Sequence, residues 1–518
     1  MKMKLLKKTG ATLLSVSLIA GACLLISPST NALTKELDPQ LTKTTSITEK
    51  EDKEDVEALS IPKYIFAFIG DGMSHVQVNA AQVYNGTINN KDEVAIDPLA
   101  FSQFPIIGNM YTQDATSFCP DSASTATSMM TGEKTHSGVI GLGVDKTTVL
   151  DTLPELLKED GYKIGIVSTV TLNHATPAAA YAHNVSRNNY YDIALEMATS
   201  NFDYFAGGEL SEKGKEDGEK DIYTVLEENG YTIVRDKETM NALGSDDTKV
   251  YAITPGLETG DAMPYSIDID EESVTLVDHV SNGINVLDND DKGFFMWIES
   301  GKIDWAGHAN DAMANIGETI AFDEAIQEAI NFYNEHPEET LIIVTGDHET
   351  GGMTIGQAST GYDTALAVLQ NQTMSYDEFD NVVADILEKD PTPSFDDVLP
   401  IITENFGLVV EAGEDTNLGL VLNAYDLERL EDALIETILG NTDPVEGTRE
   451  YELYGGYEPL TVTLTHILNE KAGIGWTSYS HTGVPVPVYA MGVNAEKFGG
   501  SYDNTQLFHK LAEMTNVK

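Results

Sequence analysis

Short apolar runs closed by Gly, Asp or Ser punctuate this chain, and helical periodicities fill the intervals between them. The runs are residues 64–69, 106–111, 163–168, 294–298 and 341–345; the helical stretches include 153–159, 190–199, 272–287 and 312–333. Runs of this length and composition read as buried strands. Their alternation with helices predicts an α/β fold with a central, mostly parallel β-sheet sandwiched by helices. In such sheets ligands gather beyond the carboxyl ends of the strands. The sequence places Asp71 after the first run, Glu299 after the run at 294, and Asp347 with His348 after the run at 341. One strand-end acid is only a turn former; several beside a histidine point to a site.

Composition narrows the partners. With 84 Asp and Glu against 30 Lys and Arg, the net charge is −54. A nucleic acid or an anionic membrane surface attracts basic faces, so no nucleic-acid-binding surface is expected. Hydrophobic residues make up 41%, enough for a large core. Such an excess of one charge repels itself unless salt screens it, which suggests a halophilic protein from a saline habitat.

Lys2, Lys4, Lys7 and Lys8 precede an uncharged stretch over 9–27, the pattern of a secretory signal peptide over 1–32 cleaved after Ala32. Cleavage leaves a charge of 26 − 84 = −58 and Cys119 as the single cysteine. The expected location is extracellular or periplasmic, with no stable membrane association after cleavage. An exported chain without an internal disulfide relies on core packing or metals. Residues 33–60 are charge-dense and poor in large apolar side chains, and read as a disordered acidic leader. The catalytic domain is expected over 61–518.

In IESGKIDWAGHAND, Asp304 and His308 stand four apart, so a helical turn would put both on one face, five residues and more beyond Glu299. Oxygen and imidazole donors suit zinc, whereas carboxylate, hydroxyl and water suit magnesium. Asp288, Asp290, Gly293 and Glu299 match a calcium-loop template, but Lys292 occupies a ligand position and residues 294–298 are a core strand, so that reading is rejected. Ser122 opens a helix of small residues running to about Thr131, where free N–H groups favour an anion. Cys119 lacks a Cys-His context and is expected to be a small buried residue.

Six segments carry a resemblance: IGDGMS, CPDSASTATSMMTG, NHATPAAAYAHNVSR, IESGKIDWAGH, VTGDHETGG and YSHTG. In this order they resemble the signature set of the alkaline phosphatases, over most of residues 62–516. The resemblance implies phosphate monoester hydrolysis to an alcohol and inorganic phosphate, two Zn²⁺ and one Mg²⁺ per subunit, and a homodimer. It implies that Ser122 is the nucleophile that becomes phosphorylated and that Arg187 grips the phosphate. One zinc would be held by Asp304, His308 and His481, a second by Asp71, Asp347, His348 and Ser122. Asp71 would bridge to a magnesium bound by Thr176 and Glu299. His174 and Trp305 occupy second-layer positions that vary in the family: His174 would tune the magnesium site or else simply cap a helix or pack, and Trp305 in place of Lys takes away one indirect cationic contact to the phosphate. His75, His136, His183, His279, His336, His466 and His509 have no matching role and read as structural.

Between His348 and His481 lie 132 residues, too many for a simple connection. Segments 376–389, 395–404 and 426–439 look helical, and residues 355–475 read as a crown-type insertion. Two rival functions remain at this level. One is a phosphodiesterase, or another phosphoryl or sulfuryl transferase of the same fold. The other is a noncatalytic acidic protein that stores divalent cations.

Overall fold

The computed structural model describes residues 61–90, 94–214, 218–288, 292–413 and 417–518. The segments expected to be a signal peptide and an acidic leader, and Asp290 of the rejected calcium loop, lie outside these residues. Ten strands form the main sheet: β1 (Tyr64–Gly70), β2 (Ile106–Tyr111), β3 (Lys163–Ser168), β4 (Tyr204–Gly207), β5 (Thr232–Val234), β6 (Val250–Ile253), β7 (Phe294–Ser300), β8 (Thr340–Gly346), β13 (Val486–Gly492) and β14 (Gly500–Asp503). Two small antiparallel pairs complete the set, β9 (Glu349–Thr350) with β12 (His481–Thr482), and β10 (Thr354–Ile355) with β11 (Ile474–Gly475). The sheet order is β14-β2-β13-β8-β1-β7-β3-β4-β6-β5. Every neighbouring pair is parallel except those of β13, which runs antiparallel to β2 and β8.

The central strands are buried on both faces, as continuous apolar sequence requires. Along β1, Tyr64, Phe66 and Phe68 join one core with Phe294, Met296, Ile342 and Val344. Ile65, Ala67 and Ile69 join the opposite core with Phe295, Trp297, Leu341 and Ile343. Helices Leu276–Leu287 and Ala312–Glu335 pack on the first side. Helices Ser122–Thr131 and Tyr190–Thr199 cover the second. Each fully buried Phe or Ile of this kind contributes roughly 1.5–3 kcal/mol.

Two expectations are corrected. The helix expected from residue 272 starts at Leu276. Thr275 accepts a hydrogen bond from the Asp278 amide, and the Asp278 carboxylate accepts one from the Thr275 amide, so the capping box fixes the start. Cys119 is exposed rather than buried. It lies in the irregular approach to Ser122, where the Ser117 hydroxyl accepts from the Cys119 amide and donates to its carbonyl, turning the backbone outward.

The long segment before His481 holds helices Tyr376–Lys389, Phe395–Phe406, Ala424–Leu439, Arg449–Tyr454 and Pro459–Ala472. Its apolar residues, among them Phe379, Ile402, Leu430 and Leu464, continue the first core. No helix among the described residues is long and apolar enough to cross a membrane.

Candidate active site

The parallel register brings the strand-end acids together. Ile69 of β1 pairs with Glu299, Gly70 pairs with Gly346, and Ser168 at the end of β3 also pairs with Glu299. Asp71, Glu299 and Asp347 are therefore delivered to one end of neighbouring strands, and all three are fully buried. The turn after β1 depends on Gly72, whose φ is +75° and where a Cβ would sit 2.9 Å from the Asp304 Cα. Only glycine permits both that conformation and that approach.

Asp304 and His308 lie on the short helix Lys302–His308, one turn apart as their spacing requires. The β9–β12 pair carries His481 back to them. His308 Nδ1 faces the Tyr479 carbonyl at 2.6 Å, and His481 Nδ1 faces the Pro120 carbonyl at 2.6 Å. A carbonyl only accepts, so both Nδ1 atoms carry a proton and Nε2 is the atom each ring turns toward Asp304. Those Nε2 atoms are 3.0 Å apart, and lie 3.3 and 3.4 Å from the Asp304 carboxylate. Two imidazole nitrogens and a carboxylate converging on one point are, with both rings neutral, a donor set for a cation.

The second group repeats the pattern deeper in the protein. Thr350 Oγ1 donates to Asp304, so it accepts from His348 Nδ1 at 3.3 Å. The His348 Nε2 lone pair then faces Ser122 Oγ at 3.1 Å, Asp71 Oδ1 at 3.3 Å and Asp347 Oδ2 at 3.3 Å. The Asp347 carboxylate is held by Thr125 Oγ1 and by the amides of Gly72 and His348. In the third group, one atom each of Asp71, His174 and Glu299 lie within 4.8 Å of one another. Thr176 Oγ1 donates to Asp71 Oδ2 at 3.3 Å, and Ser168 donates to Glu299. Asp71 belongs to both groups.

The electrostatics show what is missing. Burial, then Asp347, Asp304 and Glu299, push the Asp71 carboxyl well above the usual range. Burial and Asp304 push Asp347 up to about 6, and burial raises Glu299 to about 7 against the hydrogen bond from Ser168. Asp304 behaves oppositely: burial opposes ionisation, but His308 and His481 hold it well below the usual range. Burial and then His481 hold His348 well below the usual imidazole range. Asp71 Oδ1 and Glu299 Oε1 are buried without hydrogen-bond partners. Buried acids in excess, with orphaned oxygens, fit divalent cations.

Ser122 is the first residue of helix Ser122–Thr131 and is almost fully buried. Asp121 caps that helix by accepting from the Ser124 amide, and Gly132 in the left-handed region ends it. Arg187 NH1 donates to Asp121 at 3.0 Å, and NH2 donates to His174 Nε2 at 3.1 Å. The guanidinium thus has two fixed contacts and further N–H groups free to bind. Burial and the Arg187 charge push His174 down to about 3, so it accepts as a neutral ring. Ser122, Arg187, His174, Asp304, Trp305, His308 and His481 line one cavity of about 320 Å³, together with Tyr376 and Tyr457.

All twelve residues singled out in the sequence therefore meet at this end of the sheet. Several others were missed. Asp121 caps the Ser122 helix and also holds Arg187; its place beside Ser122 was the available signal. Lys302 is fully buried, with Nζ 3.7 Å from the Tyr265 ring centroid, 5.2 Å from that of Trp305 and 3.6 Å from Glu258. Little in the local sequence marks it, because Tyr265 and Glu258 come from a distant loop.

Comparison with known proteins agrees with this geometry. A family model described as alkaline phosphatase matches residues 62–206 and 203–517. Alkaline phosphatase 3 of Bacillus subtilis (strain 168) is 29% identical over 454 residues, covering 86% of this chain and 87% of that protein. The cold-active alkaline phosphatase from the psychrophile Shewanella sp. superposes with a TM-score of 0.70 at 27% identity, covering 87% of this chain and 99% of that one. A mutant of the TAB5 alkaline phosphatase with Mg bound in its M3 site superposes with a TM-score of 0.59 at 25% identity, covering 89% and 99%. A cation-demanding pocket at the strand ends, carried on a matching sequence and a matching fold, makes this chain a metal-binding hydrolase of the alkaline phosphatase family.

Proposed function

We propose that the protein hydrolyses phosphate monoesters through a phosphoserine on Ser122, using two Zn²⁺ and one Mg²⁺. The observation that carries this reading is Ser122 Oγ, 3.1 Å from His348 Nε2, at a helix N-terminus in the cavity that Arg187 also lines. Asp304, His308 and His481 form a nitrogen-rich set suited to zinc, and Asp71, Asp347, His348 and Ser122 form a second set, one imidazole with three oxygens, that zinc also accepts. Asp71, Thr176 and Glu299 form an oxygen-rich set suited to magnesium, with a nitrogen of His174 beside it. When bound, such cations offset the phosphoryl charge and lower the pKa of a nearby hydroxyl or water.

The protein's own residues do the rest. The partial positive end of the helix favours negative charge on Ser122 Oγ. Arg187 offers a planar fork to two phosphoryl oxygens, held in orientation by Asp121 and His174. Ser122 Oγ gives up its proton and attacks phosphorus in line with the ester oxygen; that P–O bond breaks, and the leaving oxygen takes up one proton to depart as the alcohol, so the proton count balances. Water then attacks the same phosphorus, the bond to Ser122 Oγ breaks, and inorganic phosphate departs. Positive charge from Arg187 around the extra nonbridging oxygen favours monoesters over diesters. Acid-quenching the enzyme with a monoester and mapping phosphate to Ser122 tests the reading. Phosphate recovered on Ser122, with monoester turnover exceeding diester turnover, supports it; turnover without a trapped phosphoserine in wild type and unchanged turnover in S122A would sink it.

A further inference from the structure

One buried side chain outside the ligand groups ties together the two segments that carry the outer histidines. Asn310 follows His308 by two residues, is 2% exposed, and adopts a φ of +52°, a left-handed conformation that Asn tolerates better than most residues. Its Nδ2 donates to the Gly307 carbonyl at 2.9 Å and to the Ser478 carbonyl at 2.9 Å. Two carbonyls facing one atom require it to be the nitrogen, so Oδ1 faces the other way and accepts from His466 Nε2 at 3.1 Å. The Asn310 carbonyl accepts from Asn469 Nδ2 at 2.6 Å. Every polar group of the side chain is therefore matched.

Its bonds span both sides of the pocket. Gly307 precedes His308, and Ser478 precedes the Tyr479 carbonyl to which His308 Nδ1 donates and the strand that carries His481. Clamping Gly307 to Ser478 fixes the separation of the two imidazoles, 3.0 Å between Nε2 atoms. His466 and Asn469 both lie on helix Pro459–Ala472, so the clamp is anchored in the long segment before His481. We propose that Asn310, backed by His466 and Asn469, is a positioning residue that holds His308 and His481 at the spacing one metal ion needs. The inference rests on reading these histidines as ligands of a single zinc.

Two variants separate geometry from size. Asn310→Gly keeps the left-handed backbone and deletes the clamp; Asn310→Asp keeps the shape but sets an oxygen against two carbonyls. His466→Leu removes the donor to Oδ1, and His466→Gln restores an N–H. Zinc affinity is measured by chelator competition, and melting temperature with and without zinc, on the full chain. Both Asn310 variants are expected to bind one of two zinc ions about 10- to 100-fold more weakly, with a smaller zinc-induced rise in Tm and with kcat recovered at excess zinc. His466→Leu should move the same way and His466→Gln should return toward wild type. A purely structural role would lower Tm equally with and without zinc and leave affinity unchanged, and that result overturns the inference. Should the Asn310 variants not fold, the His466 pair decides: equal zinc affinity in His466→Leu and wild type overturns it. Wild type that binds no zinc contradicts the metal reading itself, a distinguishable failure.

Discussion

His183 and His308 each sit among carboxylates within the same fold, yet their surroundings demand different things. His183 lies 3.4 Å from Glu155 and 3.5 Å from Glu196, and its Nε2 also faces the Leu150 carbonyl at 3.0 Å. Burial opposes its charge, but Glu155 and Glu196 outweigh that and raise it to about 10. The cluster closes on itself with a proton. His308 donates its Nδ1 proton to a carbonyl and turns Nε2 toward His481 and Asp304. There Asp304 favours charge on the ring against its burial, yet Nε2 points at a second imidazole as well as at that carboxylate. The lesson is that composition alone does not distinguish a structural histidine from a ligand: both rings put one nitrogen on a carbonyl, but the other nitrogen of His183 meets a carboxylate alone whereas that of His308 also meets a second imidazole.

If the His308 cluster serves a reaction at Ser122, the largest effect comes from removing that hydroxyl. S122A should lower kcat by about 10³-fold or more while metal content stays unchanged, by elemental analysis. Arg187 comes next. R187K keeps a charge but loses the fork, so kcat/KM for a monoester should fall roughly 10- to 100-fold, with the fold intact by circular dichroism.

The closed cluster should fail in the opposite way. H183Q should leave kcat unchanged and cost about 1–2 kcal/mol of stability in denaturant titrations. The sign follows from a folded pKa of about 10 above an unfolded value near 6.5. The cost is full below about pH 6.5 and vanishes as pH rises through 10. Glu155, which hydrogen bonds from His183 and Thr152 lower despite burial, loses its contribution only on acidification through its folded pKa. A constant cost from pH 6 to pH 10 would show that the ring's charge is irrelevant.

The smallest effect concerns the acidic surface. With a net charge of −54, the protein repels an anionic substrate at long range, and salt screens that repulsion. Wild-type kcat/KM should rise severalfold from low to moderate salt. A monotonic fall, with fold and metal content constant, would mean the pocket's local charge governs approach.

The sequence made some of this plain and hid the rest for physical reasons. β1, β3, β7 and β8 are legible because strands buried on both faces need continuous apolar residues. β4, β5 and β6 are four residues or fewer, too short to show a period. β13 contains Pro487, which argues for an edge position, yet the strand is internal; β8 pairs with it only from Val488 onward, so the missing N–H faces no β8 partner in the ladder. In the site, Asp71, Glu299 and Asp347 are legible as strand-end acids, and Asp304 with His308 as a helical pair. Asn310 and His466 were not, since they lie 156 residues apart and meet only through the tertiary fold.

The central claim is that the strand-end cluster is incomplete without cations. The direct measurement is elemental analysis of the purified protein with monoester hydrolysis and Tm before chelation, after it, and after zinc and magnesium are returned. Two zinc and one magnesium per chain are expected, with loss of hydrolysis and a lowered Tm on chelation and recovery of both on return of the metals. Undiminished hydrolysis by fully demetallated protein would contradict it.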